Sequence, residues 1–134
     1  MTPEELRHDE ANRWLASAAK DLNAARILAA AEPTASVFHS QQAAEKAAKA
    51  FLAYHNVSFR KVHDLEELGK QCNALDPSLS PLVREAAGLN EYAVVFRYLD
   101  APREPDEAEA TGALETALRL YDRVCALLSP EQES

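Results

Sequence analysis

Apolar residues recur at helical spacing along almost the whole chain. Trp14, Ala18, Leu22, Ala25 and Ala29 stand three or four residues apart, the period of a helix with one buried face. Thr2, followed by Glu5 three residues later, is a capping-box pattern. A first helix is therefore expected over about Pro3 to Ala31, broken by Glu32-Pro33-Thr34. Asp21 flanks its apolar face as an ordinary boundary residue. A second helix, from about Thr34 to His55, carries Val37, Ala44, Ala48 and Phe51 on its core stripe. Gln42, Lys46 and Lys49 share the opposite, solvent-facing edge, with Glu45 and Lys49 spaced as a favourable i,i+4 pair.

After a loop over Asn56 to Val62, Asp64 and Glu67 offer a second capping box ahead of Leu65, Leu68 and Cys72. Asp76-Pro77-Ser78 ends that short helix. A fourth is expected from about Ser80 to Leu99. Pro102 and Pro105 then break the chain, with Pro105 suited to the first turn of a fifth helix. That last helix has the cleanest stripe: Ala110, Ala113, Leu114, Ala117, Leu118, Tyr121, Val124, Cys125 and Leu128. Long amphipathic helices joined by short connections predict an all-α, antiparallel up-and-down bundle of four or five helices. One domain is expected over 1–134, with its core at about 12–128 and a tail at 130–134.

The fourth helix holds an anomaly. On a wheel numbered from Leu82 at about 100° per residue, Leu82, Ala86, Leu89, Ala93 and Phe96 form one stripe. Arg97 falls inside it, between Ala93 and Val94, and Asn90 lies one step away. An unpaired guanidinium inside a core is very costly, so Arg97 must be paired, at an interface or beside a cleft. Asp21, Glu45 and Asp100 are the carboxylates best placed in sequence to meet it.

Composition agrees with the helical pattern. The chain is 47% apolar and 27% charged, with only three glycines, which favours helix over strand. No apolar run approaches membrane-spanning length, and the opening MTPEELRHDE is too polar and acidic for a secretory signal. A soluble cytoplasmic protein is expected. Cys72 and Cys125 lack metal-site spacing and read as core thiols. The net charge of −8 disfavours indiscriminate nucleic-acid binding. Residues 46–63 nonetheless carry Lys46, Lys49, Arg60 and Lys61 with no acid, a solvated face or a site for a phosphate or acidic partner.

Four histidines, at 8, 39, 55 and 63, are the acid–base candidates near neutral pH. None has zinc-protease spacing, and no glycine-rich phosphate loop or G-x-S-x-G elbow is present. No metal and no cofactor are expected.

The segments FHSQQAAEKAAKAFLAYH, KVHDLEELGKQC and LNEYAVVFRYLD, in that order, resemble the HEPN domain of small prokaryotic proteins. The resemblance rests on Gln42, Glu45, Lys46 and Lys49, then His63 and Leu65, then Arg97, Tyr98 and Asp100, and runs from about Asn12 to Leu128. It departs from the family where Arg-Tyr-Pro is common: here Leu99 follows Tyr98, and proline is delayed to Pro102. The resemblance implies a helical bundle that pairs as a homodimer. It also implies a minimal nucleotidyltransferase encoded nearby as the other half of a toxin–antitoxin-like pair, and a nucleotide or RNA ligand. Gln42, Glu45, Lys46, Lys49, His63, Asn90, Arg97, Tyr98 and Asp100 are the ligand-binding residues it suggests.

Some relatives are metal-independent ribonucleases whose arginine is followed, after four to six residues, by a histidine. Here the positions after Arg97 that would hold it are Pro102, Arg103 and Glu104, and no histidine has an arginine at that distance before it. The chain also lacks the Gly-Ser and Asp-x-Asp signature of a nucleotidyltransferase. The expectation is a non-catalytic module. The alternatives are a rewired ribonuclease toxin using Arg97 with His63 or another histidine, and a purely structural dimer whose polar residues only fix packing. A homodimer seam is expected on the outer faces of the second and fourth helices.

Overall fold

Each helix begins where a side chain or a proline satisfies its first turn. In the computed structural model, which describes residues 1–59, 64–89 and 104–129, α1 spans Pro3–Leu28. Thr2 caps it by accepting from the Glu5 N–H at 3.1 Å, and Glu4 and Glu5 complement the helix dipole. The helix ends at Leu28 rather than Ala31, and a short turn leads into α2, Pro33–Tyr54, with Pro33 in its first turn.

The far end of α2 closes on itself. The Val57 N–H bonds the Leu52 carbonyl at 2.9 Å and the Asn56 N–H bonds that of Ala53 at 3.1 Å, the two bonds of a Schellman motif. This requires Asn56 to adopt φ 58°, a left-handed conformation that asparagine tolerates better than most residues. Asp64 then caps α3, Leu65–Leu75, by accepting from the Glu66 N–H at 2.9 Å. A 3-10 turn at Pro77–Leu79 joins α3 to α4, Ser80–Ala87. The last helix, α5, is Glu107–Leu128.

Two boundaries differ from the sequence reading. The expected helix from Ser80 to Leu99 is interrupted: α4 stops at Ala87, and the Gly88 N–H bonds back three residues to the Glu85 carbonyl at 3.1 Å. Three-residue bonds of this kind are common in the last turn of a helix. The inward direction that the wheel assigns to Asn90 and Arg97 lies outside the described residues. Residues 90–103, including Tyr98 and Asp100, lie outside the described residues, as do Arg60, Lys61 and His63. At the start of α5, Pro105 stands before the N-cap and not in the first turn. The cap is Asp106, which accepts from the Glu109 N–H at 2.8 Å while its own N–H donates to Glu109 Oε1 at 3.3 Å, a full capping box.

The topology is antiparallel. Ala25 meets Ser36, Asp21 meets His39, Trp14 meets Lys49 and His8 meets Tyr54, so α1 and α2 run in opposite directions. Ser78 meets Arg123 and Glu85 meets Arg119, which sets α5 antiparallel to α4. The described residues form an all-α bundle in which α2 packs against α1, α3 and α5. Its second half is consequently buried on every side: Ala43, Ala44, Ala47, Ala48, Ala50, Phe51, Leu52 and Ala53 are all in the core. Alanine lets the backbones approach closely and loses no side-chain entropy on burial. Leu65, Leu68, Leu79 and Leu120 supply the larger volume. No helix among the described residues is long and apolar enough to cross a membrane.

Replacing Asp106 by alanine should remove the side-chain arm of the capping box, the acceptor of the Glu109 N–H, and leave the backbone arm to Glu109 Oε1 in place. We expect a loss of about 1 kcal/mol in urea unfolding, with the denaturant slope unchanged.

Candidate functional site

The polar residues that the sequence places on the edge of α2 converge on the α1–α2 seam. Asp21 is buried at 9% exposure. Its Oδ1 pairs with His39 Nδ1 at 2.8 Å, and its Oδ2 accepts from Lys46 Nζ at 2.7 Å. His39 and Lys46 are seven residues apart, two turns along one face of α2, about 10 Å along its axis. One carboxylate on the facing helix bridges them.

One turn beyond Lys46, the chain buries a second charge. Lys49 and Glu45 are exposed by only 5% and 6%, with Lys49 Nζ 3.5 Å from Glu45 Oε2. The ammonium lies 5.2 Å from the Trp14 ring centroid and 5.9 Å from that of Phe59. The two rings meet edge to face at 5.8 Å. This is a cation held between a carboxylate and two aromatic faces, and it pins the loop after α2 onto α1. The solvated edge expected for Lys46, Lys49 and Glu45 is therefore corrected: Lys46 is half-buried and the other two are inside. The reason is that α2 has neighbours all round, so its polar edge meets protein instead of water. Asp21 is likewise no ordinary boundary residue but the buried hub of a part-exposed cluster.

The remaining sequence candidates divide simply. Gln42 is half-buried on α2. His63, Asn90, Arg97, Tyr98 and Asp100 fall outside the described residues, as does the expected pairing of Arg97 with a carboxylate. Trp14 and Phe59 were missed as site residues. Trp14 counted only as core, and Phe59 lies in a loop where helical periodicity gives no signal.

At the far end of the seam, His8, Tyr54, His55 and Phe51 form a chain of ring contacts, with centroids 4.5 to 5.9 Å apart. Glu4, Arg7, Tyr54, His55 and Asn56 line an open cleft there. Burial lowers the pKa of His55 from 6.5, opposed by the nearby Asp76 carboxylate. Both cysteines are free. Burial pushes the Cys72 thiol up to about 12, so it is unreactive at neutral pH. The described residues contain no group of three or more His, Cys, Asp or Glu side chains able to hold a metal.

Two outcomes follow from this geometry. Removing one member of a buried ion pair costs far more than replacing both. Lys49→Met alone should destabilise the fold by about 3 kcal/mol, whereas the Glu45→Gln/Lys49→Met double variant should recover part of that loss in the same denaturation series. For His55, the folded state binds its proton less readily than the unfolded chain. Stability should therefore be lost as the pH falls below 6.5 toward the depressed folded value. His55→Gln should flatten that part of the pH–stability curve, measured by thermal melts against the parent chain.

A family model described as the HEPN domain matches residues 11–128. No curated protein and no solved structure gives a match. The match covers α1 from Ala11 onward, all of the α2 seam and α5 to its last turn, and thus the helices that carry both charge clusters. With the match spanning most of its length, this chain belongs to the HEPN domain family.

Proposed function

We propose that this chain is a non-catalytic HEPN module that works as a homodimer with a minimal nucleotidyltransferase, in a toxin–antitoxin-like pair. The observation that supports this best is the inward position of Lys49 and Glu45. A lysine at 5% exposure between two aromatic rings cannot meet a phosphate in solvent. Its charge instead fixes how α2 and the following loop sit on α1. Charges used in this way belong to a scaffold whose surface is read by a partner, and the partner supplies any nucleotidyl-transfer carboxylates and their magnesium. Gln42, His63, Asn90, Arg97, Tyr98 and Asp100 remain the proposed contacts to a nucleotide or to the partner.

The test is co-expression with the product of an adjacent nucleotidyltransferase reading frame, with a tag on one protein only. Co-purification in a fixed ratio, together with no cleavage of RNA by the isolated chain in EDTA, is the expected result. Metal-independent RNA cleavage lost on Arg97→Ala or His63→Ala would instead favour the rewired ribonuclease. Failure to co-purify would remove the partnership.

A further inference from the structure

At the α1–α2 seam, the Nε2 of His39 is a nucleophilic atom with no hydrogen-bond partner among the described residues. We propose that His39 is a phosphoryl acceptor, taking a phosphoryl group at Nε2 from a donor of the phosphoramidate class. The proposal is independent of the nucleotidyltransferase partnership, and it makes the chain a stoichiometric acceptor, not a catalyst.

Three features of the geometry carry it. The first is the tautomer. The Lys46 ammonium only donates, so Asp21 accepts from it, and the same carboxylate faces His39 Nδ1 at 2.8 Å. The hydrogen of a neutral ring is thereby held on Nδ1, and the lone pair is left on Nε2. The second is access. The His39 side chain is 32% exposed, and Nε2 has no hydrogen-bond partner among the described residues. The third is charge. On a chain of net charge −8, a lone Asp21 would repel an anionic donor. Lys46, at 2.7 Å from that carboxylate, offsets it, so the donor meets a site near neutrality.

The step balances without moving a proton. The Nε2 lone pair forms the new N–P bond as the donor's P–N bond breaks, and with free phosphoramidate in its –NH3⁺ form the breaking pair leaves with neutral ammonia. The ring gains positive charge and keeps its Nδ1 hydrogen. Asp21, already facing that hydrogen, stabilises the charge, much as a buried aspartate stabilises an imidazolium in hydrolytic triads. The other described histidines lack this support. All three rings meet aromatic neighbours, His39 at Phe38, His8 at Tyr54, and His55 at Phe51 and Tyr54, but neither His8 nor His55 has a carboxylate hydrogen-bonded to its ring among the described residues.

The experiment is incubation of the full chain with potassium phosphoramidate, followed by phosphorus NMR and mass-spectrometric mapping. Phosphohistidine should form at His39 about tenfold faster than at His8 or His55, and that signal should vanish in His39→Gln. Asp21→Asn should slow labelling at His39 about tenfold while its helical circular dichroism stays that of the parent. Lys46→Met should slow it as well, with the effect shrinking at high salt. Equal rates at His39, His8 and His55 would overturn the proposal, as would parent-like labelling of folded Asp21→Asn. Should Asp21→Asn fail to fold, the comparison of sites within the parent chain decides the matter alone.

Discussion

An ionised side chain inside a protein must be met by a fixed opposite charge or by donors and acceptors that replace water. In this bundle that constraint falls on the seam between α1 and α2, where Asp21, Glu45 and Lys49 are all buried. Both helices bury small residues: Ala11, Ala18 and Ala25 on α1, and Ala43, Ala44 and Ala47 on α2. The charges that these helices bury are shielded from bulk water. Each buried charge has to find its partner in protein, and the partners found help fix how the two helices register.

The consequence is a division of labour along α2. Its alanine and leucine positions give affinity without direction, since apolar burial scales with area and hardly depends on orientation. The polar positions give direction. Ser36 donates to the Ala25 carbonyl at 2.7 Å, His39 and Lys46 converge on Asp21, and Lys49 points into the Trp14–Phe59 pair. A helix sliding by one turn along such a seam would keep most of its apolar contact and lose all of these. Buried polar groups here therefore act on specificity of packing more than on total stability, the role such groups have in some coiled coils.

Much of the fold could be read from the sequence because periodicity and capping are local signals. The α1 stripe, the Thr2 and Asp64 caps and the α5 stripe all reappear in the structure. The misreadings have physical causes. Gly88 sits within a regular apolar pattern, and only its three-residue backbone bond reveals the interruption. Asp106-Glu107-Ala108-Glu109 is a capping box that Pro105 obscured, since proline is equally at home just inside a helix or just before one. Leu120 is buried although it lies off the α5 stripe, because that helix packs against more than one neighbour. The site was less legible for the same reason. A helical wheel says which residues share a face but not what lies opposite, so Lys49 looked solvated and Asp21 looked peripheral. Opposite charges on consecutive helices, Asp21 against His39 and Lys46, were the available sign.

The account rests on the inward position of the α2 charges, and the lysine ammonium groups report on it directly. Nitrogen-15 NMR of the side-chain NH3⁺ groups compares hydrogen exchange at Lys49 with that at Lys20, which is exposed, and at Lys70, whose side chain is 70% exposed. Lys49 should give a resolved signal with strongly slowed exchange, shifted by the Trp14 and Phe59 rings, and Lys46 should fall between it and the exposed pair. An Lys49 ammonium that exchanges as fast as those of Lys20 and Lys70 would contradict the account.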